Sequence, residues 1–228
     1  MKICVFTDVH GNVDALKMLM KTNDFQQADM RIFLGDVAVM GPFGEECCKL
    51  VVESGCIWLL GNHDSYISHG LPARLNFSES KKAHQKYIRD RISENYKELM
   101  KKLPKKYTIS HNGKTLLFVH YLWEDEEMVV DNPDNPNLEK VEKIFGKLDA
   151  DYIFFGHEHA FSHFKGNGKE YICVGSLGMK HPGSYSVITL DDEIKIEHKE
   201  IDFDLDKFKN DILSAGYPRA EKYIKFFD

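Results

Sequence analysis

Short, nearly unbroken apolar runs punctuate this chain, and five of them stop on polar residues able to bind metal. They lie in ICVFTDVH (3–10), RIFLGD (31–36), CIWLLGNHD (56–64), TLLFVH (115–120) and YIFFGHEH (152–159). Each predicts a short buried β-strand. The strands hand over, in turn, to Asp8 and His10, Asp36, Asn62 and His63, His120, and His157 and His159. Ligands of open α/β sheets bind outside the carboxyl ends of strands, so five such ends can converge on one point.

Between these runs the periodicity changes. GNVDALKMLMKT (11–22) puts Leu16, Leu19 and Met20 at helical spacing, and EECCKLVVESG (45–55) reads as a helix stopped by Gly55. Two such β-loop-α units predict right-handed crossovers in a largely parallel sheet. Residues 78–103 read as a polar helical cap with a stripe of Tyr87, Ile88, Ile92, Tyr96, Leu99 and Leu103, ending at Pro104. His-Asn-Gly at 111–113 predicts a hairpin between two strands of 105–120. Residues 121–140, rich in acid, Asn and Pro, read as a loop that follows His120 and can wall the site.

Three further strands are expected at 169–175, 184–190 and 193–201, the last an alternating edge reached through a tight turn at Asp191-Asp192. Two short helices broken at Gly216 follow. Parallel strands early and antiparallel strands late predict an α/β fold. Its form is a four-layer α/β/β/α sandwich of two mixed sheets flanked by helices, one domain over 1–228.

Bulk composition narrows the function classes. The chain has 228 residues, 43% hydrophobic and 29% charged, the profile of an ordinary soluble protein. A net charge of −6 opposes bulk nucleic-acid binding, although a local cationic site can still draw a small phosphoester or nucleotide. The first residues do not form a signal peptide, and no stretch approaches the roughly 20 apolar residues of a membrane span, so a cytoplasmic protein with no membrane partner is expected. Nothing indicates an oligomeric state. The five cysteines are odd in number, with no disulfide framework. A zinc site on Cys47, Cys48 and Cys56 is disfavoured, because adjacent helical residues point about 100° apart; Cys4, Cys56 and Cys173 read as small buried apolar residues.

Oxygen and imidazole donors in this mix suit Mn²⁺, Fe or Zn²⁺. Gly35, Gly61 and Gly156 each precede a candidate ligand and are expected to supply positive φ. Gly11-Asn12 is expected to start the first helix beside the site. His69, His84, His111, His163, His181 and His198 read as solvated, Glu158 as pointing away from its neighbours, and the acidic stretch 124–127 as a solvated face.

The ordered set D-x-H (8–10), G-D (35–36), G-N-H-D (61–64), His120 and G-H-x-H (156–159) resembles the calcineurin-like metallophosphoesterase superfamily, in its small bacterial and archaeal phosphodiesterase-like branch. The likeness covers nearly the whole chain, including GDVAVMGP, GSLGMKHPG and the tail DLDKFKNDILSAGYP. It implies one metal on Asp8, His10 and His159, a second on Asn62, His120 and His157, and Asp36 as their bridge. It also implies a hydrolase that attacks phosphorus in line with a metal-bridging hydroxide. Mn²⁺ leads as the expected metal, with Fe, Zn²⁺, Ni²⁺ and Co²⁺ as alternatives. His63 would stabilise charge or protonate the leaving oxygen, Asp64 would support the loop, and His163 and His181 would lie near the metal rim.

Two departures narrow the class. The protein phosphatases of the superfamily follow Gly-Asp with a nearby Arg, whereas Gly35-Asp36 runs into Val37-Ala38-Val39. That favours a phosphodiester or small phosphomonoester. His120 is followed by Tyr121, and Tyr121 and Trp123 are candidates to narrow the pocket or stack on a base. The rival readings are a dinucleoside polyphosphate or nucleotide anhydride hydrolase, and a non-catalytic scaffold of the same fold. Scaffold relatives lose the His that is retained here as His63.

Overall fold

A computed structural model describes residues 1–124, 127–128 and 136–227. One five-stranded sheet runs in the order β12 (Ile194–Ile201), β11 (Gly183–Leu190), β1 (Lys2–Phe6), β2 (Met30–Phe33) and β3 (Ile57–Trp58). The other runs β4 (Lys106–His111), β5 (Lys114–Val119), β8 (Tyr152–Phe155), β10 (Lys169–Cys173) and β9 (Ser162–Gly166). The short pair β6 (Trp123–Glu124) and β7 (Glu127–Met128) stands apart. The helices are α1 (Val13–Met20), α2 (Asn23–Gln26), α3 (Gly44–Glu53), α4 (Asn62–Ser68), α5 (Glu79–Arg89), α6 (Glu94–Met100), α7 (Leu138–Phe145), α8 (Leu205–Ser214) and α9 (Ala220–Ile224).

Strands β1, β2 and β3 are parallel, as the repeated β-loop-α units predict, and β11 joins β1 antiparallel with β12 at the edge. In the second sheet β5, β8 and β10 are parallel and the antiparallel β4 and β9 form the edges. Both sheets are therefore mixed.

Alternate residues of one strand enter different cores, which is why the runs are continuously apolar. Ile3 and Val5 of β1 pack with Phe118 and Phe154 between the sheets, while Cys4 and Phe6 pack with the helices α1 and α3. On β5, Leu116 and Phe118 join the inter-sheet core, and Leu117 and Val119 join Val141 and Phe145 of α7. Phe118 and Phe154 stack at 5.0 Å and are fully buried, each worth about 1.5–3 kcal/mol of transfer free energy. The four layers are helices, sheet, sheet and helix.

Residues 78–103 are helical as expected, but the apolar stripe does not run through them unbroken. They form α5 and α6, separated at 90–93, where Ser93 is extended and its amide donates to Glu45 Oε2 at 2.8 Å. Ser93-Glu94 is a helix-start signal inside a polar stretch, and it resets the apolar stripe. Ile88, Ile92 and Met100 are buried, whereas Leu99 is 36% exposed.

Two elements lie outside the expected pattern. Strand β9 alternates at an edge, and α7 begins at Asn137, whose side chain accepts Lys140 N at 3.0 Å. The 121–140 segment thus holds β6, β7 and the start of α7 rather than loop alone. Its residues 125–126 and 129–135, including most of the Asn/Pro tip, lie outside the described residues, and Glu124 is exposed. No described helix is long and apolar enough to cross a membrane. All five cysteines are unpaired; burial pushes the Cys4 thiol up to about 12 and Cys56 up to about 11. Among the described residues no metal-ligating group includes a cysteine.

Candidate metal centre

The carboxyl ends of β1, β2, β3, β5 and β8 supply every candidate ligand. Five of these residues, Asp8, His10, Asp36, His157 and His159, have left-handed backbone with φ between 50° and 70°. Such conformations cost on the order of 1–3 kcal/mol each outside glycine and persist only where the surroundings impose them. Here Asp8 N donates to Gly35 O at 3.0 Å, His10 N to Asp36 O at 3.0 Å, and Gly178 N to Asp8 O at 3.0 Å. The GSLGMKHPG segment therefore clasps the end of β1, and Ser176 Oγ donates to the same Asp8 carbonyl at 2.9 Å.

The expectation for the three glycines is corrected in part. Gly35 does have φ +115°, but Gly61 has φ −86° and Gly156 is not in the left-handed region. What the latter two provide is room. A Cβ on Gly61 would lie 2.2 Å from Asp36 Oδ1, and one on Gly156 would lie 2.6 Å from Asp8 Oδ2. Asn12 caps α1 as expected, accepting Ala15 N at 3.0 Å, while the Gly11 amide is engaged by Val37 O.

The side chains gather into two groups. In the first, His10 Nε2 lies 3.2 Å from Asp8 Oδ1 and 3.0 Å from His159 Nε2, and His159 Nε2 lies 3.1 Å from Asp8 Oδ1. In the second, Asn62 Oδ1 lies 3.2 Å from His120 Nε2 and 3.1 Å from His157 Nδ1. Asp36 Oδ2 reaches both, 3.8 Å from His10 Nε2 and 3.4 Å from His120 Nε2.

The first group fits a cation on its own chemistry. His10 Nδ1 donates to Ala38 O at 3.1 Å, so the Nε2 of the neutral ring is a lone pair. It faces a second imidazole nitrogen and Asp8 Oδ1, a buried oxygen with no hydrogen-bond partner among the described residues. Donors bound at about 2.0–2.2 Å to one ion, at tetrahedral to right angles, stand roughly 3.0–3.5 Å apart, matching these separations. Asp8 Oδ2 is meanwhile fixed by Thr7 Oγ1 at 2.7 Å and His157 N at 3.0 Å.

Residues 1–161, which contain every one of these ligands, match the family model described as calcineurin-like phosphoesterase. The chain belongs to the calcineurin-like phosphoesterase family. It is similar to an uncharacterized protein of Methanocaldococcus jannaschii, 26% identical over 243 aligned residues that span 95% of this chain and 93% of that one. Its fold is that of a metallophosphoesterase from Sphaerobacter thermophilus (TM-score 0.76, 20% identity, 99% of this chain and 97% of the other). A hypothetical protein from Pyrococcus horikoshii OT3 shares it too (TM-score 0.79, 18% identity, 98% and 96%).

In this candidate centre the buried carboxylates and imidazoles shift one another's protonation. Burial alone would raise the Asp8 carboxyl, but the imidazoles of His159 and His120 outweigh it and hold its pKa well below the usual range. Asp36 is lowered likewise, by His120 and His63 against burial. Burial lowers His120 too, yet Asp36 and Asp8 push it up to about 9. His157, buried and beside His120, falls to about 3. The carboxylates thus favour a cation at this place, and a divalent ion held there would displace the proton they hold on His120.

The remaining members of the family's Gly-Asn-His-Asp motif lie beside the ligands. The His63 amide donates to Asp36 Oδ1 at 2.8 Å, and its ring stands edge-on to His10, centroids 5.4 Å apart. Burial lowers its pKa well below the ordinary value, against the pull of Asp36. Asp64 supports the loops: its Oδ2 accepts Asp36 N, Gly61 N and Trp58 Nε1 at 2.9, 3.1 and 3.2 Å, and its Oδ1 accepts Val37 N at 3.0 Å.

Other expectations fail. Tyr121 is fully buried, its ring 4.7 Å from His157 and its hydroxyl donating to Glu158 Oε1 at 2.8 Å, so it packs beneath a ligand and stacks on no substrate. His84 is buried rather than solvated, with Nε2 2.5 Å from Val39 O. His163 and His181, by contrast, are exposed as expected, and pair with Glu170 at 2.7 Å and Asp202 at 2.9 Å. Sequence reasoning also misses Thr7, Trp58 and Gln85, the last 3.1 Å from His63 Nδ1. Thr7 adjoins a ligand, but nothing in the sequence pattern links Trp58 to Asp64 or Gln85 to His63.

Proposed function

We propose that this chain hydrolyses a phosphodiester or small phosphomonoester with the help of two divalent metal ions. Asp8, His10 and His159 would hold one ion, and Asn62, His120 and His157 the other, with Asp36 Oδ2 shared. Such a pair supplies Lewis acidity and a water acidic enough to ionise near neutral pH. Against roughly +4 from the ions, Asp8 and Asp36 return about −2, and the neutral imidazole and amide donors cancel none of the rest, so a phosphate anion is attracted.

His63 does the protein's own share of proton chemistry in this reading. Anchored through its amide to the proposed bridging carboxylate and set against His10, it would stabilise charge on the departing oxygen or protonate it. The loop after Asp36 offers buried Val37, Ala38 and Val39 in place of a cation that could grip a dianion, which supports a diester or small ester over a phosphoprotein.

The observation that carries the proposal is the arrangement of Asp36, with Oδ2 reaching both imidazole groups and Oδ1 tied to the His63 amide. The test is hydrolysis, with added Mn²⁺, of an alkyl phosphodiester whose alkoxide leaving group needs stabilising, beside bis(p-nitrophenyl) phosphate and a panel of nucleotides and nucleotide anhydrides. On the alkyl ester His63→Ala is expected to lose about 10²–10⁴-fold in kcat with metal content unchanged. Asp36→Asn is expected to lose metal as well, read by plasma emission analysis. Equal rates for wild type and His63→Ala overturn the role of His63. A metal-loaded protein inert on the whole panel overturns catalysis in favour of a scaffold.

A further inference from the structure

We propose that Lys81 and Arg219 form an anion subsite beside the candidate metal centre, which receives a second phosphate carried by the substrate; this rests on the phosphoester reading above. Lys81 lies on α5 four positions before Gln85, so the two share one helix face, and Gln85 Nε2 stands 3.1 Å from His63 Nδ1. A line of rings runs the same way. His63 meets Tyr66 with centroids 5.5 Å apart, Tyr66 meets Phe77 at 5.7 Å, and Lys81 Nζ lies 4.2 Å from the Phe77 centroid. Lys81 is half-buried, whereas Lys82 and Lys86 on the same helix are exposed and paired, Lys82 with Glu79 at 2.7 Å and Lys86 with Asp90 at 2.6 Å.

Arg219 arrives from the far end of the chain. It precedes α9 in left-handed backbone, φ +73°, with its guanidinium carbon 5.7 Å from the Tyr223 centroid. Tyr223 packs on His84 at 4.5 Å, and His84 is the neighbour of Gln85, so the tail is held against the turn of α5 that faces His63. Arg219 Nε is buried with no hydrogen-bond partner among the described residues. Burial, then the charges of Arg219 and Lys222, push the Lys81 ammonium below its ordinary value, and the Lys81 charge in turn reaches His63. Among the described residues no carboxylate pairs with Lys81 or Arg219, although the chain holds 36 acidic residues against 30 basic ones. Like charges drawn together without a counter-charge are unfavourable in the free protein, and a phosphate removes the conflict. The arginine fork can take two of its oxygens while the lysine ammonium meets a third as a point charge. Arg219 also lies beyond residues 1–161, so the subsite draws on a tail outside the part matched by the family model.

Two measurements test the subsite. In the first, inorganic phosphate is titrated into protein freed of metal and dialysed, with binding read by ³¹P line broadening. Lys81→Gln and Arg219→Gln are each expected to weaken that binding by about 10- to 10²-fold, the size of a hydrogen bond to a charged group. Lys82→Gln makes the same charge change on the exposed side of α5 and is expected to leave it as it was. In the second, Mn²⁺-loaded protein hydrolyses thymidylyl-thymidine and its 5′- and 3′-phosphorylated forms. The wild type is expected to show a KM at least about 10-fold lower for a phosphorylated form. That ratio should collapse toward one in Lys81→Gln and Arg219→Gln and persist in Lys82→Gln.

Phosphate binding that is absent, or that falls equally in all three variants, overturns the inference, since the second result is bulk charge alone. Equal KM values for the three dinucleotides also overturn it. Thermal melting checks each variant, and Lys81→Gln decides the matter by itself if Arg219→Gln does not fold. Should the protein hydrolyse no ester at all, the proposed function fails while the phosphate titration still decides whether the subsite exists.

Discussion

Replacing Asp64 with asparagine tests the support beneath the candidate ligands, because one carboxylate holds four N–H groups there. Three donors converge on Oδ2, from Asp36, Gly61 and the Trp58 indole, and Val37 N meets Oδ1. Asparagine has the same shape but only one acceptor oxygen. Turned to serve the three donors, it aims its NH₂ at Val37 N–H; turned the other way, it strands three. A buried donor left unpaired costs about 1–3 kcal/mol. The change also removes a negative charge that is itself unfavourable, since burial and the neighbouring Asp36 push the Asp64 pKa up to about 6. The net loss is about 2 kcal/mol, and for a chain of 228 residues that lowers Tm by about 4–8 °C. In either orientation one amide of the Asp36–Val37 pair is set free beside the proposed bridging carboxylate, so metal affinity should fall by about 10–100-fold. Thermal unfolding in chelator and a calorimetric Mn²⁺ titration measure the two effects. An Asp64→Asn protein that melts with the wild type and binds Mn²⁺ equally well refutes the reasoning.

Three other outcomes follow from the same structure. Burial pushes His84 down to about 4, against about 6.5 in the unfolded chain, so the unfolded state takes up the proton first. Stability should therefore fall by about 3 kcal/mol as pH drops from about 6.5 to 4, and His84→Gln, which keeps a donor for Val39 O, should flatten that limb of the denaturation curve. Gly61→Ala puts a Cβ 2.2 Å from Asp36 Oδ1 and 2.5 Å from Asp36 N, so the loop must shift. About 1–3 kcal/mol of stability and part of the bound metal should go with it, measured by urea unfolding and plasma emission analysis. Mn²⁺ at about 100 times its Kd should raise stability by about 2.7 kcal/mol, visible in calorimetry and abolished by chelator; no shift would argue against binding to the folded state.

The ligand-bearing strand ends were legible because two periodicities coincide there. A run apolar on every position, as in Ile3 to Phe6 or Ile153 to Phe155, means burial on both faces, and the first polar residue after it must lie at the sheet's carboxyl edge. The helix break at Ser93 was hidden by a polar stretch in which a cap residue looks like any other surface serine. Helix α7 was hidden by its acidic and Pro-rich approach, although Leu138, Val141 and Phe145 repeat at helical spacing. Contacts such as Asp64 to Trp58 and Gln85 to His63 were not legible at all. They depend on how α4 and α5 pack over the first sheet, and a single side chain leaves no periodic trace of a long-range partner. For Tyr121 the family comparison pointed outward to substrate, whereas an aromatic ring immediately after a buried strand has an apolar core within reach, formed here by Phe145 and Phe155.

Five candidate ligands in left-handed backbone would be an odd choice if the ions organised the loops. Each costs on the order of 1–3 kcal/mol, and a loop free to relax would leave that region when the ions depart. The opposing forces come from the protein. Asp8, His10 and Gly11 donate their amides to Gly35, Asp36 and Val37, so the loops after β1 and β2 form a continuous ladder beyond the sheet. Leu177 N and Gly178 N close it from the other side on Thr7 O and Asp8 O. Glycine at 61 and 156 lets backbone approach the Asp36 and Asp8 carboxylates where any Cβ would collide. The donor atoms consequently stand at ligand-like separations before any ion arrives, and little of the binding free energy is consumed in ordering them. The same rigidity fixes His63 relative to Asp36, because one backbone amide joins the proposed proton donor to the proposed bridge.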